Sequence, residues 1–392
     1  MTRIEVGSRW TVELEADIRE AALGAGFHLC GVAGADGTEI EAERFAAWVE
    51  AGRAGEMEYL KRRDEAGTLI REGVRVAIPW ARSVVVCALN YASEEVFSVE
   101  DAPEGAGWIG RYAWSGRQPE QGVGGRVQGV DEAPELTATD YHSEMLTGLR
   151  VVESAIRGRI ECETRCYVDT GPLVERGLAA RAGVGWVGKN TCVINQGVGS
   201  WLLLGVVVTS LEMPAEGRLA VAAADRCGSC TRCIEACPTD ALVAPREMDA
   251  SRCIAYLTIE KKGVIAEELR EGMGRQVFGC DICQDVCPWN AKARNGGGVV
   301  AVTPGMEVRR ELVNPSLSWL GGMDNKEFKR WFKGSPLERT GRKRLQRNVA
   351  IAMGNSGLEE FRPKLVEWAD GEDEALAEAA LWALQQGVGG SV

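Results

Sequence analysis

The sequence predicts three successive regions: a layered α/β or α+β domain over residues 1–220, a cysteine-rich module over 221–295 and an α-helical region over 296–392. Three observations predict this. Up to about residue 220, segments of helical period alternate with short β-rich runs, the pattern of mixed layers. Eight of the thirteen cysteines then fall between Cys227 and Cys287. From about residue 300 onward the apolar pattern is helical.

Within the first region, a helix near 11–25 leads to a strand near 27–33. "RSVVVCALNY" is a buried strand, "DYHSEMLTGLRVVESAIRG" an amphipathic helix, "RCYVD" a strand, "LVERGLAARAG" a helix and "WLLLGVVVTS" another strand. Residues 117–138 fall in a Gly-rich segment of little apolar content and are predicted to form a surface insertion loop. In the last region, "KEFKRWF", "RKRLQRNVAIAMG", "EEFRPKLVEWA" and "EALAEAALWALQQG" read as helices. The last three resemble a short HEAT-type repeat. So few repeats cannot stand alone, so they are expected to dock on the body.

The chain has 392 residues, 45% hydrophobic and 26% charged, with a net charge of −12. That length supports a large core without covalent staples. The opening residues carry charges throughout and no apolar h-region, so no secretory signal is expected. The longest apolar run, "WLLLGVVVTS", has strand length, so no membrane span is expected. A soluble, cytoplasmic protein follows, in which clustered cysteines point to metal or redox chemistry rather than disulfides.

Cys227, Cys230, Cys233 and Cys237 with Pro238 spell C-x2-C-x2-C-x3-C-P. This is the bacterial ferredoxin run, whose fourth cysteine ligates the other cluster. The second run, Cys280, Cys283 and Cys287 with Pro288, lacks one thiolate, which Cys253 supplies from upstream. Two [4Fe–4S] clusters follow. One takes Cys227, Cys230, Cys233 and Cys287, and the other takes Cys237, Cys253, Cys280 and Cys283. Paired zinc sites are the alternative, but two x3-C-P endings are not a zinc pattern. Cys30 and Cys87 lie in apolar runs and read as small core residues; Cys162 and Cys166 read the same way, and Cys192 is left unassigned.

These runs, together with "VDTGPLVERGLAARAGVGWVGKNTCVIN", "PWARSVVVCALNY", "RYAW", "DYH", "GSWLLLG", "SRCIAYLTIE" and "RNVAIAMGNS", carry a resemblance over nearly the whole chain. The sequence resembles the epoxyqueuosine reductases, cobalamin-dependent iron–sulfur enzymes of tRNA modification. The departure is the segment 117–138, for which the resemblance gives no role. The resemblance implies a cobalamin-binding first domain and removal of the epoxide oxygen of epoxyqueuosine at the tRNA wobble position. Two electrons enter and water leaves. An external low-potential donor would feed the clusters, which can reach about −700 mV. The chain is expected to act as a monomer and to need no membrane.

The resemblance also implies site residues. Asp169, where the strand "CYV" gives way to a loop, is the expected proton donor. A free aspartate, with a pKa of about 3.9, is a poor acid at neutral pH, so burial against a corrin face is expected to raise it. Cobalamin contacts are expected from Arg71, Gly110, Asp169, Val193, Leu204, Ile254, Lys261, Gly279 and Cys280. Only two histidines exist, His28 and His142, and base-off cobalamin without a histidine ligand is implied. His142 reads as structural, and Lys189 and Asn190 are candidates for the corrin rim or substrate. "GVGWVGKN" lacks the Walker spacing, so nucleotide hydrolysis is rejected. The net charge argues against indiscriminate nucleic-acid binding. The basic stretch Lys326–Asn348, with interleaved Phe328, Trp331 and Phe332, is the expected contact to the tRNA backbone. A reductive dehalogenase would share the corrin-plus-cluster logic, but a twin-arginine signal is expected there. An electron-transfer protein would not need the large first domain.

Overall fold

The computed structural model describes residues 10–36, 39–119, 135–213, 222–295 and 303–386. Thr11 accepts a hydrogen bond from the Leu14 amide and caps α1 (Val12–Gly24), satisfying a donor that the first turn would otherwise leave orphaned. Then come β1 (Leu29–Gly34), β2 (Ser83–Asn90), β3 (Trp108–Ile109), β4 (Ser115–Arg117) and β5 (Thr137–Ala138). Asp140 caps the long helix α2 (Tyr141–Arg159) by accepting from the His142 amide. Strand β6 (Thr164–Tyr167), helix α3 (Glu175–Arg181) and strand β7 (Leu202–Thr209) complete the first region.

The main sheet runs β1-β2-β7-β6, and each of its ladders is antiparallel. The sequence leaves α/β and α+β open; the antiparallel ladders make it α+β. Every residue of β2 is buried, so both faces of the sheet must be covered. Its side chains alternate between two cores. Val85, Cys87 and Leu89 pack with Ile18 of α1 and Leu149 of α2. Val84, Val86 and Ala88 pack with Leu173, Leu178 and Val184 around α3.

The later elements that position the site are α4 (Ile254–Ile259), β8 (Gln276–Phe278), β9 (Glu307–Val308), α5 (Asn325–Phe332), α6 (Pro336–Ser356), α7 (Arg362–Ala369) and α8 (Glu374–Gln385). β8 pairs in parallel with β3. A single core takes in this pair, α4 and the terminal helices. Two residues of α6 bolt it down. Arg347 donates to the carbonyls of Leu257, Lys261 and Gly263, and Asn348 to those of Thr258 and Val277. The helical tail thus docks on the body through buried polar bonds as well as apolar packing. Burial lowers the Arg347 pKa to about 10, yet three carbonyls receive its protons.

The expected insertion is described only at its ends. β4 pairs with β5 and with β9, and residues 120–134 lie outside the described residues.

Candidate functional site

The thiols fall into two neighbourhoods. Burial first, then the adjoining sulfurs of Cys227 and Cys230, push the Cys233 thiol up. Burial and the sulfurs of Cys227 and Cys233 do the same for Cys287. In the second neighbourhood, burial dominates at Cys253, with Cys237 adding to it, and at Cys280, with Cys253 and Cys237 adding to it. Cys283 is raised first by a hydrogen bond with Cys192, then by burial and by Cys280 and Cys253. Cys227, Cys230, Cys233 and Cys287 thus neighbour one another, as do Cys237, Cys253, Cys280 and Cys283, with Cys192 a fifth thiol in the second group. Thiols grouped this way, with Cys237 and Cys287 each near the other run's sulfurs, are donors of the kind that hold iron–sulfur clusters. Among the described residues no three His, Cys, Asp or Glu side chains converge as they would on a single metal ion.

Lys189 and Asn190 reach the cysteine loops. Lys189 Nζ donates to the carbonyls of Gly228 at 2.7 Å and Cys230 at 3.0 Å, and Asn190 Nδ2 to that of Cys283 at 3.2 Å. They brace the cysteine loops because short loops dense in thiols leave carbonyls that need donors. Cys192 joins the second neighbourhood, its Sγ 3.3 Å from Gln284 Oε1.

Asp169 follows β6 by two residues and sits in the left-handed region, with φ 55°. An aspartate tolerates that conformation better than most residues, and such strain concentrates at working sites. Its Oδ2 accepts from the Tyr141 hydroxyl at 3.2 Å and lies 3.3 Å from His142 Nε2. His142 Nδ1 lies 2.8 Å from Asp140 Oδ1. Arg339, from α6, pairs with Asp140 and places Nη2 2.7 Å from His142 Nδ1. Here one expectation is corrected: His142 faces the expected acid as well as the start of α2. In the chain alone the Asp169 side chain is 66% exposed. The hydrogen bond from His142 outweighs what desolvation there is, and with Tyr141 and Arg176 holds the carboxyl below its ordinary value.

Tyr112 connects this group to the second thiol neighbourhood. Its ring meets Tyr141 edge-on at 5.8 Å and Phe278 at 5.9 Å. A Cβ placed on Gly110 or on Gly279 would stand 3.3 Å from the same ring. The Gly110 amide donates to the Phe278 carbonyl, and Gly279, with φ 69°, needs the freedom of glycine to turn the chain into Cys280. Gly110, Gly279, Cys280 and, through Cys253, Ile254 therefore gather at the ends of the β3–β8 pair. Val193 and Leu204 pack with Leu173 in the core beneath the Asp169 loop. Arg71 donates to the Leu173 carbonyl at 3.0 Å and stands over the Tyr59 ring. Lys261 is turned to Glu56 in an ion pair, and its carbonyl receives Arg347. The Lys261 charge, like that of Asp169, is thus already paired within the chain.

Sequence reasoning misses Tyr59, Tyr112, Tyr141 and Asp140, although "RYAW" and "DYH" contain three of them. The basic stretch divides. Phe328 and Phe332 are core, Arg347 is buried, and Arg344 donates to the Ile259 carbonyl. Lys326, Lys329, Arg330 and Lys333 stay exposed.

Residues 226–290 match the family model of the 4Fe-4S double cluster binding domain. Residues 71–170 match that of epoxyqueuosine reductase QueG, DUF1730. The chain is 34% identical over 375 residues to the epoxyqueuosine reductase of Xanthomonas campestris, covering 95% of each chain. It is 36% identical over 351 residues to that of Gloeobacter violaceus, covering 87% of this chain and 96% of the relative. Among solved structures, an epoxyqueuosine reductase with an epoxyqueuosine-modified tRNA-Tyr stem loop superposes with a TM-score of 0.77 at 28% identity, covering 95% of this chain and 90% of that one. The enzyme from Streptococcus thermophilus gives 0.75 at 27%, covering 97% and 91%. The two thiol neighbourhoods, the strained Asp169 and these likenesses over nearly the full length agree: the chain belongs to the epoxyqueuosine reductase family.

Proposed function

We propose that this chain removes the epoxide oxygen of epoxyqueuosine at the wobble position of tRNA, giving queuosine and water. The observation that carries the reading is the run of contacts from Cys280 through Gly279, Tyr112 and Tyr141 to Asp169. On this reading it would bring an electron entry near Cys280 within reach of a proton entry at Asp169. Cys227, Cys230, Cys233 and Cys287 would hold one [4Fe–4S] cluster, and Cys237, Cys253, Cys280 and Cys283 the other. Gly110 and Gly279, which present backbone and no side chain, and the aliphatic Ile254 suit the broad face of a base-off cobalamin. Val193 and Leu204 support the Asp169 loop from below, and Arg71 offers a cation at its rim. When bound, the clusters and the corrin supply low-potential electrons at the epoxide carbon.

The protein's own part is acid chemistry and positioning. An oxirane oxygen leaves as a hydroxyl only if it receives a proton, and Asp169 is the group placed to give it. Tyr141 and the left-handed backbone fix the carboxyl in place. The wobble base lies in a loop and can be splayed out, so the RNA need not be melted. A relative solved with a modified tRNA stem loop supports this substrate class. Among the described residues no helix is long and apolar enough to cross a membrane. The test is nucleoside analysis of tRNA from cells with and without the gene. Epoxyqueuosine should accumulate in its absence and queuosine return with it. Unchanged queuosine in the deletion would overturn the reading.

A further inference from the structure

Removing an epoxide oxygen as water consumes two electrons and two protons. One proton converts the ring oxygen to a hydroxyl as the first C–O bond breaks. The other accompanies loss of that hydroxyl as water when the second C–O bond breaks and the alkene forms. The electrons come singly from a low-potential donor. One carboxylic acid carries one proton, and Asp169 is not arranged to keep even that one, being two-thirds exposed and hydrogen-bonded as an acceptor by both Tyr141 and His142.

We infer that His142, oriented by Asp140, is the proton store that loads Asp169 for both protonations. The inference rests on the proposed reaction and deepens it. The geometry is a line of three groups: Asp140 Oδ1, 2.8 Å from His142 Nδ1, and His142 Nε2, 3.3 Å from Asp169 Oδ2. Nδ1 faces Asp140 and also Arg339 Nη2 at 2.7 Å, while Nε2 faces Asp169 and Arg339 Nη1 at 3.5 Å; a guanidinium accepts no proton, so Asp169 is the acceptor that Nε2 meets. His142 does not reach the epoxide and acts through Asp169. Its ring packs on Tyr141 with centroids 4.0 Å apart and is 16% exposed, so the store is shielded from bulk water but not sealed.

The charged groups facing it pull in both directions. Burial and the Arg339 guanidinium disfavour the imidazolium, while Asp140 and Asp169 favour it and prevail, so the pKa lies above its ordinary value. Asp140 stays ionised, its pKa held at about 2: burial opposes this, but hydrogen bonds from His142 and Arg339 overcome it. Tyr112 and Tyr141, the remaining titratable neighbours, are held neutral by burial. Around Asp169 stand Arg176 and Glu175. Glu175 is the competing store, since burial lifts it to about 7 and its Oε1 has no hydrogen-bond partner.

Three measurements test the assignment on the cluster- and cobalamin-loaded enzyme. The wild-type single-turnover rate on epoxyqueuosine tRNA should fall on the alkaline side as His142 loses its proton. H142Q should be slowed at least about tenfold at neutral pH and retain activity only toward acid pH, where Asp169 protonates itself. Added imidazole should restore the rate of His142→Ala. Independently of turnover, only two histidines titrate in this chain. The ring resonance missing from H142Q should titrate above the ordinary histidine range in wild type and move down in Asp169→Asn. A wild-type rate and pH profile in H142Q, or the tenfold loss appearing in Glu175→Gln instead, would overturn the inference while leaving the reaction standing. Failure of the wild-type enzyme to convert the substrate would overturn the reaction itself.

Discussion

The Tyr141 hydroxyl donates to Asp169 Oδ2 across 3.2 Å, so the residue that begins α2 holds the carboxyl that opens the loop after β6. That bond fixes position, while the proposed proton transfer belongs to the carboxyl. Asp169→Asn keeps the size and the acceptor oxygen but cannot deliver a proton. The substitution should lower turnover by about a hundredfold or more with iron and cobalamin content unchanged. Tyr141→Phe, which removes a positioning bond only, should cost less than about tenfold. Single-turnover assays on modified tRNA read both, and near-normal turnover of the asparagine variant would remove Asp169 from its role.

Crossed ligation makes a sharper statement than an iron count. Loaded protein should carry about eight iron atoms if each group of four thiols holds a cubane. Cys287→Ser, although in the second run, should damage the cluster held by the first. Cys253→Ser should damage the other. Electron paramagnetic resonance of the reduced variants should lose a different signal in each case. Loss of the same signal in both would show that the ligands are not crossed.

The His142–Asp169 contact also predicts how stability follows pH. The folded His142 pKa lies above its ordinary 6.5, so its contribution is complete below that value and disappears as pH rises through the folded value. The folded Asp169 pKa lies below its ordinary 3.8, so its contribution is present above that value and disappears as pH falls through the folded one. Denaturant midpoints should therefore fall from neutral to mildly alkaline pH in wild type and flatten over that interval in H142Q. Parallel curves would show that the pair does not couple to folding.

What the sequence makes legible is what is local. β2 announces itself by an unbroken apolar run, and the cysteine spacing marks the cluster-binding domain. The β3–β8 pair escapes notice because Trp108–Ile109 is too short to show a period and its parallel partner lies far along the chain. His142 reads as structural because the arginine beside it is 197 residues away. Arg347 looks like one more surface cation. Only the fold reveals three carbonyls waiting for it.

That distinction decides the last prediction, how a chain with a net charge of −12 holds RNA. Charge counted along Lys326–Asn348 treats each cation alike, but the fold turns several inward. Arg347 serves the carbonyls of α4 and its loop. Arg344 serves the carbonyls of Ile259 and Thr340, while Lys343 stays at the surface but is paired with Asp373. Lys329, Arg330 and Lys333 lie exposed at the end of α5, and a phosphate backbone would meet them first. Replacing all three with alanine should weaken tRNA binding and flatten its salt dependence by roughly 0.7 to 0.9 in log–log slope for each phosphate left without its cation. Cluster and cobalamin content should stay the same, since none of the three approaches the thiols. Arg347→Ala should behave differently: it strands the buried Leu257 carbonyl, at about 1–3 kcal/mol for an unsatisfied buried group, along with the part-buried carbonyls of Lys261 and Gly263, and should appear first as a lower unfolding midpoint. Equilibrium binding at several salt concentrations, beside denaturation of both variants, separates the two effects. An unchanged affinity and salt slope in the triple variant would place the RNA on another face.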